Sequence, residues 1–269
     1  MKTVVVTGAN RGIGKETARG LAHAGCKVIM ACRNVAAAEA ARAEIARETG
    51  NGDLHVLRVD LASKASIDAF AAAFAQRFRT LDVLVNNAGI STSERGPTDD
   101  GHEPNIGTNF IGTYLLTRRL LPLFDRTGDR AIVNLSSGIE AIGRFRTTRI
   151  DRYRWFKAYA VSKRMILLFT RWLGEQKEGE GFRINAVHPG IVDTSIMYTG
   201  KWFDFLIRAL CAPFFVDAKE GARTCVELAL GKRTENGKFF VKGEPREIRL
   251  TARKRKETAD LTRFCGTLD

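Results

Sequence analysis

The chain predicts an α/β fold: a doubly wound, mostly parallel sheet with helices on both faces, in a single domain. Three observations carry this. Short apolar runs alternate with helix-period segments, and six such runs precede residue 190. A Gly-rich turn, Thr7 to Gly14, separates the first apolar run from the first helical segment. No linker and no internal repeat divides the 269 residues. Strand–helix alternation makes βαβ units, and right-handed crossovers place their helices on the sheet faces.

Val4-Val5-Val6 is apolar and bounded by a turn, so it reads as a buried strand. Thr7-Gly8-Ala9-Asn10-Arg11-Gly12-Ile13-Gly14 follows, then a helical pattern over 15–24. Strand, Gly-rich turn and helix in that order make a phosphate cradle. Glycines let the backbone turn tightly and approach a pyrophosphate at the helix N-terminus. The spacing is Gly-x-x-x-Gly-x-Gly. Residues 27–31 read as the second strand, ending in Cys32-Arg33-Asn34 without a carboxylate to take a ribose 2′-hydroxyl. Arg11 and Arg33 can instead face a 2′-phosphate, since a planar guanidinium donates in pairs to phosphate oxygens. Their other reading is as two solvated surface arginines.

Residues 35–49 are Ala- and Glu-rich and helical, and 54–59 form a strand ending in Asp60-Leu61. Ser63 is placed to cap a helix over 64–78. Strand four, 81–85, runs into Asn86-Asn87-Ala88-Gly89, small residues that let the backbone approach a ligand. A long helix is expected over 106–124, carrying Asn109. Strand five, 130–135, ends in Ser136-Ser137-Gly138. A loop follows in which Arg144, Arg146, Arg149, Arg152 and Arg154 interleave with Phe145, Tyr153 and Trp155. Strand six, 182–187, ends in His188-Pro189-Gly190-Ile191-Val192-Asp193-Thr194. Residues 195–216 are aromatic and apolar, 218–230 helical, 238–241 a last strand, and 253–268 a basic surface helix.

Tyr159-Ala160-Val161-Ser162-Lys163 lies in a helical pattern over 159–173. The spacing of four sets Tyr159 and Lys163 on one face, a turn apart. A phenol titrates near ~10, too high for proton transfer at neutral pH, and a nearby ammonium lowers it. The pair therefore suits general acid/base work. Standing alone, the pattern is weak, since most such pairs on helices are a half-buried tyrosine beside a solvated lysine.

The charged fraction is 27% and the hydrophobic fraction 44%, ordinary for a globular chain. Five cysteines and four histidines show no pairing and no metal-ligand spacing, so no metal is expected and the thiols suit a reducing compartment. The start lacks signal-peptide architecture and no apolar run reaches membrane-spanning length, which reads as cytoplasmic. A net charge of +13 allows an anionic substrate, a membrane surface or simple solvation.

In combination these segments resemble the short-chain dehydrogenase/reductase family over essentially the full length. The motifs are Thr7-Gly8-x-x-x-Gly12-x-Gly14, Asp60-Leu61, Asn86-Asn87-Ala88-Gly89, Asn109, Ser137, Tyr159-x-x-x-Lys163 and Pro189-Gly190-x-Val192-x-Thr194, in the family's order. Within the family the chain looks most like the retinol dehydrogenase-like branch, on Ala31-Cys32-Arg33-Asn34, Asp100-Gly101-His102-Glu103 and Gly237-Lys238-Phe239-Phe240. The resemblance implies an NADP(H)-dependent oxidoreductase, with a cofactor half over about 1–135 and a catalytic and substrate part over about 136–269. It implies Tyr159 as acid/base and Lys163 as the group that lowers its pKa and holds the nicotinamide ribose. Ser137 donates to the developing oxyanion, Ser136 being the alternative, and Asn109 positions a water. The implied cofactor set is Gly8, Asn10, Arg11, Gly12, Ile13, Gly14, Arg33, Asn34, Asp60, Leu61, Asn87, Ala88, Gly89, Tyr159, Lys163, Pro189, Gly190, Val192 and Thr194. The Ser-to-Tyr segment is longer and more Arg-rich than is common in the family.

The resemblance and the apolar 195–216 segment imply a lipophilic aldehyde, ketone or alcohol as substrate. Lys201 and Arg208 allow that segment a weak contact with a membrane surface, and a homodimer is also allowed. A non-enzymatic nucleotide-binding or scaffold protein would keep the same fold, but it usually lacks the Tyr or Lys, and both are here. A nucleic-acid partner is suggested only by charge, and none is expected.

Overall fold

The computed structural model describes residues 1–268 apart from 94–95, 126, 147–154, 177–179 and 193–214. Its first elements are β1 (Thr3–Thr7), α1 (Gly12–His23), β2 (Lys27–Cys32), α2 (Val35–Thr49), β3 (Leu54–Arg58), α3 (Lys64–Arg77) and β4 (Val83–Asn86). Next come α4 (Pro104–Ile106), a π-helical segment (Gly107–Ile111), α5 (Gly112–Leu120), β5 (Arg130–Leu135) and α6 (Trp155–Gly174). Then follow β6 (Phe182–His188), β7 (Ile191–Val192), β8 (Phe215–Val216), α7 (Ala218–Leu230), β9 (Lys238–Val241), β10 (Glu244–Glu247) and α8 (Ala252–Cys265).

Eight strands form one sheet in the order β10-β9-β6-β5-β4-β1-β2-β3. All neighbouring pairs are parallel except β9–β10. This is the doubly wound order expected from the alternation of elements. Both faces are covered, and β1 shows why its sequence is continuously apolar. Val5 packs in the core beneath α3, α5 and α6, with Phe70, Phe110 and Phe169. Val4 and Val6 point to the other core, with Leu21 of α1, Ile45 of α2 and Leu228 of α7. A strand with no wet face has no place for polar alternation.

Helix starts follow local chemistry. Asn34 accepts from the Ala37 N–H at 3.0 Å to cap α2, and Ser63 accepts from Ser66 at 3.4 Å to cap α3.

Three elements differ from the pattern. The helix expected over 106–124 is not continuous: the ladder widens to a π-helix over Gly107–Ile111, so Asn109 sits in the bulge. The C-terminal helix is not only a surface helix, since Glu257, Leu261 and Cys265 are buried at a spacing of four. β10 is an exposed edge strand of sequence Glu-Pro-Arg-Glu, with no apolar face to announce it. The segment expected over 195–216 and the arginines at 149, 152 and 154 lie outside the described residues, except for β8.

Candidate active site

The strand order reverses between β1 and β4, which opens a crevice beyond the C-terminal ends of these strands. Thr7, the last residue of β1, ties the two ends together. Its hydroxyl accepts from the Asn87 and Ala88 N–H groups, both at 2.9 Å. Asn87 returns the contact by donating Nδ2 to the Thr7 carbonyl at 2.7 Å. The role of Thr7 was missed in the sequence, although its place before Gly8 was a usable signal.

Gly8 and Gly12 adopt φ +67° and +55°, which a side chain disfavours. Gly14 has a steric reason: an added Cβ would lie 2.3 Å from Asn87 Nδ2 and 2.4 Å from the Gly8 carbonyl. The start of α1 is thus pressed onto the turn, with Arg11 at its N-cap and no acidic residue in its first turn. Exposed N–H groups at a helix's positive end, without a competing carboxylate, fit a pyrophosphate. Asn10 and Ile13 belong to the same turn. Arg33, at the end of β2, is 72% exposed in its side chain and only 4.0 Å from Asp60, so its guanidinium can turn toward an anion. Asn34 is committed to capping α2. Asp60 accepts from the Ala62 N–H at 3.0 Å, and Leu61 is buried.

On the other side of the crevice, α6 presents Tyr159 and Lys163. Lys163 Nζ lies 5.8 Å from the Tyr159 ring centroid and donates to the Leu135 carbonyl at 3.1 Å. Burial pushes this lysine down to about 8. A Cβ on Gly89 would come 3.4 Å from Nζ, so the small residue leaves the ammonium facing the crevice. Burial moves Tyr159 upward, opposed by a hydrogen bond from the Ser137 hydroxyl. The Lys163 ammonium is not among the causes of that shift.

The two serines are separated by their partners. Ser136 is buried and donates to the Lys163 carbonyl at 2.9 Å, a structural tie between β5 and α6. Ser137 bonds Tyr159. Asn109 is fully occupied: Oδ1 accepts from the Ile90 N–H at 2.7 Å, while Nδ2 donates to the Ile90 carbonyl at 2.8 Å and Ser162 Oγ at 3.0 Å. It pins the loop after Gly89 against α6. His188 lies beside Gly138, whose added Cβ would be 3.2 Å from His188 Nε2, and burial lowers its pKa. Pro189 and Gly190 follow β6 at this edge, the backbone of Val192 lies in β7, and Thr194 is outside the described residues. Among the described residues no group of His, Cys, Asp and Glu side chains could hold a metal ion.

Residues 2–201 match the family model for short chain dehydrogenases. The chain belongs to the short chain dehydrogenase family. It is 41% identical to retinol dehydrogenase 12 of Mus musculus over 244 residues, covering 89% of this chain and 77% of that one. An uncharacterised protein from Mycobacterium paratuberculosis has the same fold, with a TM-score of 0.77 and 32% identity, over 100% of this chain and 93% of that one. A variant of actinorhodin polyketide ketoreductase, solved with NADPH, aligns with a TM-score of 0.71 and 26% identity, over 89% of this chain and 94% of that one. The matched stretch of this short chain dehydrogenase ends at residue 201, so α7, β9, β10 and α8 lie beyond it.

Proposed function

We propose that the chain is an NADP(H)-dependent oxidoreductase acting on a lipophilic aldehyde, ketone or alcohol, with Tyr159 as general acid/base. The observation that carries this is the buried Lys163 Nζ, 5.8 Å from the Tyr159 ring centroid, with the Ser137 hydroxyl acting on the phenol from the end of β5.

When bound, the nicotinamide supplies or accepts the hydride. The protein's part is orientation and protons. Gly8, Asn10, Gly12, Ile13 and Gly14 at the start of α1 would hold the pyrophosphate, and Arg11 and Arg33 the 2′-phosphate. Asp60, Leu61 and Asn34 would border the adenine end; Asn87, Ala88 and Gly89 the middle; Pro189, Gly190, Val192 and Thr194 the carboxamide. Lys163 would hold the ribose.

Tyr159 gives its proton to the substrate oxygen in reduction and takes one from the alcohol in oxidation. Burial moves the phenol upward and the Ser137 hydroxyl opposes that shift, so the same serine that meets the substrate oxygen also favours proton release from Tyr159. Ser137 donates to the same substrate oxygen and stabilises charge as it develops there. Asn109 acts through the loop it holds at Ile90.

The lipophilic class is supported by the similarity to retinol dehydrogenase 12 and by the apolar composition of 195–216. Burying each methylene contributes about 0.8 kcal/mol, so catalytic efficiency should rise with aliphatic chain length. A series of straight-chain aldehydes at saturating NADPH, followed by absorbance, tests this. Flat efficiency across the series removes the lipophilic claim.

A further inference from the structure

α6 has a second charged face. Lys157, Val161 and Arg164 recur at helical spacing, and Val161 lies about 200° around the helix from Tyr159. This face borders a cavity of about 540 Å³ whose walls include Ile142, Arg144, Arg146, Lys157, Val161 and Arg253. Three separate segments converge there: the stretch after the Ser137 turn, the first turn of α6 and the first turn of α8. Among the described residues, no carboxylate lines the cavity. Two nearby acids among the described residues are engaged with arginines. Glu140 and Glu257 clasp Arg164 at 2.6 and 3.0 Å, and Arg253 stands 3.7 Å from Glu257. Lys254, in the same turn as Arg253, adds a further cation held below its ordinary pKa by burial.

Cations gathered around one concavity repel each other, and a low-dielectric wall strengthens that repulsion. A multiply charged anion reverses its sign. Planar guanidiniums approaching from different elements match phosphate oxygens, which accept bidentately from several directions. Ile142, on the cavity wall, is apolar and 63% accessible.

We propose that this cavity is a binding site for a phosphate-bearing anion, held by Arg144, Arg146, Lys157 and Arg253 on the side of α6 away from Tyr159. The phosphate belongs to a soluble ligand or to a lipid headgroup, and the two sources separate experimentally. Inorganic pyrophosphate, titrated by calorimetry, is the soluble probe. Sedimentation with vesicles of phosphatidylcholine and phosphatidic acid, against pure phosphatidylcholine, is the lipid probe. Arg144 and Arg253 are both exposed, so the double variant Arg144→Gln/Arg253→Gln keeps the fold. It should weaken whichever probe binds by about tenfold or more, because it removes two charge-assisted partners. Binding of pyrophosphate alone assigns a soluble ligand, and binding of vesicles alone assigns a headgroup. If neither probe binds, or if the double variant binds as wild type, the phosphate site is overturned. The second result would place the anion elsewhere, the crevice at Gly14 included.

Discussion

Arg164 Nη1 donates to Glu140 Oε2 at 2.6 Å, with 1% of the Arg164 side chain exposed. The same guanidinium donates Nε to Glu257 Oε2 at 3.0 Å. The residue after Lys163 therefore fastens the turn that begins at Ser137 to the C-terminal helix α8. A buried cation between two buried carboxylates is costly to break from the middle, because both acids lose their partner.

Arg164→Met should cost about 3–5 kcal/mol of stability, the usual result of stranding buried charge. Glu257→Gln should cost less, since Glu140 still holds Arg164. Urea unfolding of both variants measures this, and a loss below about 1 kcal/mol for Arg164→Met would show that the network is not needed to hold α8.

Lys163 gives a pH signature. Its folded pKa is about 8 against an ordinary 10.5, so between those values the unfolded chain binds more protons than the folded one. Stability must then rise with pH across that window. The penalty for burying the ammonium is present in full below pH ~8 and is relieved above it, amounting to about 3 kcal/mol. Lys163→Met should lack this rise. Unfolding free energies at a series of pH values test it, and parallel curves for wild type and variant would contradict a depressed Lys163.

These two predictions rest on contacts of different legibility. The β1–turn–α1 unit, Tyr159 and Lys163 could be read directly, because each depends on local spacing. The buried stripe Glu257, Leu261 and Cys265 had the right period but was hidden by the basic residues around it. The π-bulge at Asn109 has no local signal. It coincides with a backbone approach, where a Cβ on Gly112 would lie 2.1 Å from the Leu61 carbonyl. The Arg164–Glu257 pair spans 93 positions in sequence, and no periodicity encodes such a contact. The upward shift of the Tyr159 phenol depends on burial, which a four-residue spacing does not contain.

Arg33 tests the cofactor preference. Arg33→Asp removes a phosphate partner and supplies an acceptor for a ribose hydroxyl. Hydrogen bonds to charged groups contribute about 1.5–3 kcal/mol, so the ratio of kcat/KM for NADPH over NADH should fall roughly ten- to a hundredfold. If wild type already prefers NADH, the roles given to Arg11 and Arg33 are wrong.

Tyr159 is the residue on which the proposed proton transfer turns. Reduction of a medium-chain aldehyde, with NADPH absorbance as the readout, should be compared between wild type and Tyr159→Phe, with NADPH binding measured on both. The phenyl ring keeps the packing and removes only the proton-bearing oxygen. The predicted result is a fall in kcat of about 10²–10⁴-fold with NADPH affinity unchanged. A variant that keeps more than about a tenth of the wild-type kcat would contradict Tyr159 as the acid/base.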